Sequence, residues 1–119
     1  MKYALLIYAS EQDWANQSEE QSQAQFQEYM AFTKDIVDRG IHKGGEALQT
    51  TSTATTVRVR DGETLTTDGP FAETKEQLGG FYVVEAKDLD EVIELAARIP
   101  DVRRGSIEVR PVMEIDMPA

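Results

Sequence analysis

The chain predicts an α+β domain of the ferredoxin-like split-βαβ type, in the order βαββαβ, with one β-hairpin inserted near its middle. Three observations lead there. Two amphipathic helical patterns alternate with short apolar runs. One strictly alternating segment is folded back on itself by Asp61-Gly62. Two segments, 2–9 and 81–86, are apolar on both faces, as the two central strands of such a sheet must be.

In residues 2–9, Tyr3, Leu5 and Ile7 fall on one face and Ala4, Leu6 and Tyr8 on the other. Ser10 to Gln17 is polar and reads as a loop carrying the single tryptophan, Trp14. Ser18-Glu19-Glu20-Gln21 then has the form of a capping box, with Ser18 as N-cap and Gln21 reaching back. Phe26, Tyr29, Met30, Thr33, Ile36 and Val37 recur at three- and four-residue steps, which predicts a long helix with that stripe facing inward. Gly40 ends it, and Ile41 supplies the apolar contact that often follows. Gly44-Gly45 opens a short strand at 46–49, and 50–55 is a loop. Residues 56–60 and 63–67 form the hairpin, polar on one face and therefore placed at an edge or over an opening. After Gly79-Gly80 comes the strand 81–86. Asp88 caps a second helix, with Glu91 at the box position and Leu89, Val92, Ile93, Ala96, Ala97 and Ile99 inward, stopped by Pro100. Ser106 to Ile115 is the last strand, with Pro111 at an edge or bulge.

Two helices cover one face of a four-stranded sheet and leave the other face of its first strand wet. Each large apolar side chain left so forgoes about 1.5–3 kcal/mol. A second copy laying its sheet on this one covers them, so the chain predicts a homodimer with a dimeric α+β barrel interior.

At 119 residues there is material for a single domain spanning the chain. The formal charge of −10 repels phosphate backbones and anionic lipid, which argues against nucleic acid and membrane as partners. Arg58, Arg60, Arg103, Arg104 and Arg110 leave room for a local positive pocket that would take a small anion. The absence of cysteine removes disulfides, thiolates and cysteine metal sites, and one histidine cannot build a multi-histidine centre within one chain. No phosphate loop, nucleophile elbow or dinucleotide fingerprint is present, so no cofactor is expected. The apolar run at residues 3–9 lacks a following cleavage site, and no run approaches ~20 apolar residues. The expected location is cytoplasmic.

The segment from Thr67 to Gly80 is richer in charge than a connector needs. Asp68, ahead of Gly69-Pro70, either sets a turn by accepting backbone N–H bonds or serves as a general base beside a cleft. Pro70 stiffens the loop and Phe71 can anchor it, which is the rigidity catalytic positioning requires. Glu73-Thr74-Lys75-Glu76 is a solvated charge run or a helical turn; Thr74 and Lys75 could meet an oxyanion, and Glu73 could pair with a hairpin arginine. Arg58 and Arg60 share one strand face, where they guard an edge or receive a carboxylate. Glu46 sits near the end of the long helix, where the dipole does not favour a carboxylate, and His42 lies closer to that end. Tyr8, ending a central strand, can point its hydroxyl into a cleft. Tyr29 and Tyr82 are expected to pack.

Met1-Lys2-Tyr3-Ala4-Leu5-Leu6-Ile7-Tyr8, Gly44-Gly45-Glu46-Ala47-Leu48, Thr55-Thr56-Val57-Arg58, the Asp68–Gly80 motif, residues 96–100 and residues 106–111 together resemble the DGPF proteins of the YCII-related group. The resemblance implies a dimeric ferredoxin-like domain and, in bacteria, genomic association with extracytoplasmic-function sigma factors. The group includes a dehydrochlorinase of a hydroxylated aromatic ring, and many members carry a His–Asp pair. Counting back from Gly40, Tyr29 stands at that histidine position, and His42 does not match it. The expectation is a site for a small organic anion near the DGPF loop, working as a lyase or isomerase. Asp68 would be the base, and Arg58, Lys75 or Arg110 would hold the anion. The rival expectations are a non-catalytic dimeric binding or regulatory module, linked to a sigma factor, and a motif that simply clamps the dimer.

Overall fold

The sheet is built around β1 (Lys2–Ala9), which pairs antiparallel on both sides. The computed structural model describes residues 1–116. The following elements are α1 (Glu11–Ala15), α2 (Glu19–Asp38), β2 (His42–Ala47), β3 (Thr55–Arg60), β4 (Glu63–Asp68), β5 (Gln77–Glu85), α3 (Leu89–Ala96) and β6 (Ser106–Pro111). Short 3-10 turns lie at Thr51–Thr53 and Pro100–Arg103. The main sheet runs β2-β5-β1-β6, and β3-β4 form a separate two-stranded sheet. This is the split-βαβ order with an inserted hairpin. Its two central strands, β1 and β5, contain the segments whose sequence is apolar on both faces.

Tyr3, Leu5 and Ile7 project from β1 into a core closed by Phe32 and Ile36 of α2, Val92 and Leu95 of α3, and Ile99. Helix α2 starts with a complete capping box: the Ser18 hydroxyl accepts from the Gln21 N–H at 3.1 Å, and Gln21 Oε1 accepts from the Ser18 N–H at 2.9 Å. It ends in a Schellman arrangement, the Ile41 N–H donating to the Ile36 carbonyl and the Gly40 N–H to that of Val37, both at 3.0 Å.

The inward stripes differ from those expected. On α2 the core row is Gln25, Tyr29, Phe32 and Ile36, while Phe26, Met30 and Val37, expected inward, are exposed. On α3, Val92, Leu95 and Ala96 are buried, while Leu89 and Ile93 lie outside. In both helices two adjacent apolar rows compete, and the sheet accepts one. Residues 11–15, expected as loop, form the single helical turn of α1, capped by the Ser10 hydroxyl accepting from the Asp13 N–H at 3.2 Å. Such a turn is too short for a periodic signal. Strand β5 starts at Gln77 rather than Phe81, with a register shift between Ile7 and Tyr8 where β1 passes its glycines. Helix α3 stops at Ala96, short of Pro100, and the last strand ends at Pro111 rather than at 115.

The sheet face away from the helices carries Ala4 opposite Val83 and Leu6 opposite Phe81, with Tyr8 beyond them, all only partly covered. The hairpin projects from this body. Asp61 and Gly62, with φ of 52° and 78°, make its tight turn. Val57 and Val59 are 60% and 59% exposed. The radius of gyration is 16.6 Å, against about 13.5 Å for a compact chain of this length. Among the described residues, no helix is long and apolar enough to cross a membrane.

Leu5, fully buried at the centre of this core, anchors its stability. Leu5→Ala is expected to lower the unfolding free energy by about 2–5 kcal/mol and Ser18→Ala by about 1 kcal/mol. Urea denaturation checks both; a Leu5→Ala loss no larger than that of Ser18→Ala would contradict the packing described.

Candidate functional site

Helix α2 is 20 residues long, about 30 Å, and its core contacts come from its second half. Its first half overhangs the ends of β2 and β5, where Gly45, Ala47 and Gly80 lie together on the helix side of the sheet. A Cβ on Gly45 would stand 2.5 Å from the Phe81 carbonyl oxygen, and one on Gly80 2.9 Å from that of Glu46. Close strand approach therefore keeps side chains off these positions, and the floor under the helix is bare. The result is a cavity of about 590 Å³, of the size that holds small ligands. Phe26, Met30 and Thr33 line it from α2 and Trp14 from α1, with Tyr82 contributed by the helix side of the sheet. The outward apolar row of α2 thus borders a cavity. Helix α1 is tied in place: the Glu11 N–H donates to Gln77 Oε1 at 2.9 Å, and the Glu11 carboxylate accepts from the Thr51 N–H and hydroxyl at 2.7 and 2.8 Å.

One polar cluster stands in this apolar setting. Gln25 Nε2 donates to Asp101 Oδ1 at 2.9 Å, and the Tyr29 hydroxyl donates to Asp101 Oδ2 at 2.5 Å. Asp101 lies in the turn opened by Pro100, where its carbonyl accepts from the Gly105 N–H at 2.7 Å. Gln25 is 8% exposed and Asp101 half-buried. Burial, reinforced by the bond to Asp101, pushes the Tyr29 phenol far above the usual tyrosine range. Burial also raises Tyr82, against the opposing effect of its hydroxyl contact with Thr33 at 2.7 Å. His42 borders the cavity edge-on to Tyr82, with ring centroids 6.1 Å apart. Among the described residues no ion pair involves Asp101: Arg103 pairs with Glu28 at 2.7 Å, and Arg104 lies against the Gln17 amide. None of the described residues form a group of three or more His, Asp or Glu suited to a metal ion.

Of the residues singled out in the sequence, Glu46 borders the cavity, as do His42 and Tyr29. Asp68 is the exposed last residue of β4, its backbone opposite Thr55. Arg58 stands exposed on β3 opposite Leu65. Glu73 and Lys75 are exposed in an irregular segment rather than a helical turn, and Phe71 is 80% exposed instead of anchoring the loop. Arg110 is exposed on β6 opposite Ala4, and Tyr8 lies on the same open face opposite Ser106. These seven do not meet in the cavity. Gln25, Thr33 and Asp101 carried no sequence signal as a site, since Asp101 is 72 residues from Tyr29 and meets it only through the fold.

Fold and cavity together define an α+β domain with a ligand-sized cleft between its long helix and its sheet. The YCII-related domain matches residues 1–116, and the chain belongs to that family. It is similar to an uncharacterized protein of Rhizobium meliloti (strain 1021), 38% identical over 114 residues, covering 94% of this chain and 92% of that one.

The buried phenol makes stability depend on alkaline pH. A tyrosine ionises near pH 10 when unfolded, whereas folded Tyr29 holds its proton to higher pH. Its stabilising contribution is complete below about pH 10 and is lost as pH rises toward the folded value. Denaturation across about pH 8–11 should show stability falling above pH 10, and falling less steeply in Tyr29→Phe. Equal slopes would contradict the burial of this group.

Proposed function

We propose that the chain is a cytoplasmic homodimer that binds a small organic molecule in the cavity beneath α2. The observation that carries this reading is a doubly hydrogen-bonded carboxylate, Asp101, beside a ligand-sized cavity with aromatic walls. Such pockets combine apolar bulk with a few fixed polar groups, which is how small ligands are oriented. An organic anion, suggested by the arginines, would face Glu11 and Asp101 here, and among the described residues no arginine or lysine lines the cavity. The proposed ligand is therefore ring-bearing or aliphatic and carries no net negative charge. A lyase or isomerase would be the catalytic form of this proposal, with Asp101 as base. Binding is the preferred form, because both oxygens of Asp101 already accept bonds that fix them as acceptors.

A second reading keeps the site at the DGPF loop, with Asp68 as base and Arg58, Lys75 or Arg110 on an anion. In its favour, the backbone just after Asp68 is held: the Gly69 N–H donates to the Ala54 carbonyl at 2.7 Å, and the Thr56 hydroxyl donates to the Gly69 carbonyl at 2.8 Å. The same bonds suit a loop that clamps a dimer.

The second copy is proposed to cover the open sheet face and meet the hairpin. Ala4, Leu6, Tyr8, Phe81 and Val83 remain partly uncovered there, and an isolated hairpin with exposed valines is marginal in water. Sedimentation at micromolar concentration should give a dimer, and Leu6→Glu a monomer; a monomeric wild type would contradict the proposal. For the site, a thermal-shift screen of aromatic and aliphatic metabolites should give hits that Ala47→Phe, which fills the cavity floor, abolishes and Asp68→Asn retains. The reverse pattern would move the site to the loop.

A further inference from the structure

We infer that the cavity takes a small organic cation: an ammonium group, free or alkylated, on an apolar frame. The inference rests on the cavity being the binding site and concerns the charge it selects. Asp101 is held by Gln25 and Tyr29, both neutral donors. Those two bonds leave acceptor capacity on its oxygens, since a carboxylate offers about four lone-pair sites. The two arginines nearest in sequence are turned to other groups, Arg103 to Glu28 and Arg104 to Gln17. A half-buried carboxylate thus stands beside apolar walls without a cationic partner among the described residues.

The walls point the same way. Trp14, Phe26, Tyr29 and Tyr82 border the space, and the negative faces of aromatic rings attract cations that have lost part of their water. The other carboxylate on the helix side of the lining, Glu11, opposes an anion, although it is already engaged with Thr51. Among the described residues, His42 is the single basic residue on the lining. A neutral ligand would fill the walls but leave the half-buried carboxylate, bonded only to neutral donors, without a counter-charge. The chain's net charge of −10 favours approach of a cation over long range.

Isothermal titration at neutral pH compares three probes. These are choline, its neutral isostere with a tert-butyl head in place of trimethylammonium, and benzoate. Choline is expected to bind about tenfold or more tighter than the isostere, and benzoate not to bind. Asp101→Asn, with its fold checked by circular dichroism, should erase the difference between the two heads. Equal binding of choline and the isostere, or tighter binding of benzoate, overturns the cation inference and leaves the cavity reading intact. An undiminished preference in Asp101→Asn overturns the role given to Asp101. Failure of all three probes, joined to an empty metabolite screen, sinks both readings. The comparison of head groups on the wild-type protein stands even where the variant does not fold.

Discussion

Helix α2 is held to the sheet through Phe32 and Ile36 in its second half, and that anchorage fixes where its first half must lie. The first half extends over the ends of β2 and β5, where Gly45, Ala47 and Gly80 supply almost no side chain. Filling such a gap would need bulk on the strands, and Gly45 and Gly80 cannot carry it, since an added Cβ would run into the neighbouring strand's backbone. The space is a cleft open to solvent on one side, with Trp14, Phe26 and Met30 exposed along its rim. It persists because the constraint that empties its floor is the pairing of the strands themselves.

The turn at Pro100–Arg103 closes the arrangement from the other side. Asp101 reaches across to Gln25 and Tyr29 and so ties the overhanging half of α2 to the turn leading into β6. Arg103, from the same turn, adds an ion pair to Glu28 at 2.7 Å, while Phe26 in this half stays exposed. Structure and chemistry meet in this cluster: the bonds that position α2 also orient a carboxylate beside the cavity.

The order of elements and the identity of the central strands were legible in the sequence because both depend on local pattern. Tyr3, Leu5 and Ile7 alternate with Ala4, Leu6 and Tyr8, and Asp61-Gly62 signals its turn wherever it occurs. The inward rows of the helices were less legible. Phe26, Met30 and Val37 have the spacing of a core stripe, yet the sheet accepts Phe32 and Ile36, and the adjacent row edges the cavity instead. The site was the least legible. Charge density drew the eye to Asp68, Glu73 and Lys75, which are exposed, whereas Asp101 has nothing local to distinguish it from any turn residue. Its environment is made by a helix seventy-two positions away, and contacts of that range leave no trace in spacing.

The single tryptophan, Trp14, reports most directly on where the site lies. Trp14 borders the cavity, far in sequence from the DGPF loop, so its indole N–H is one resolved reporter in a proton–nitrogen correlation spectrum. On titration with any ligand that binds, the account predicts that the Trp14 indole and the amides of Tyr29, Met30 and Thr33 shift together, in a saturable manner. Shifts confined to Arg58 and to Asp68–Lys75, with the Trp14 indole unmoved, would contradict it.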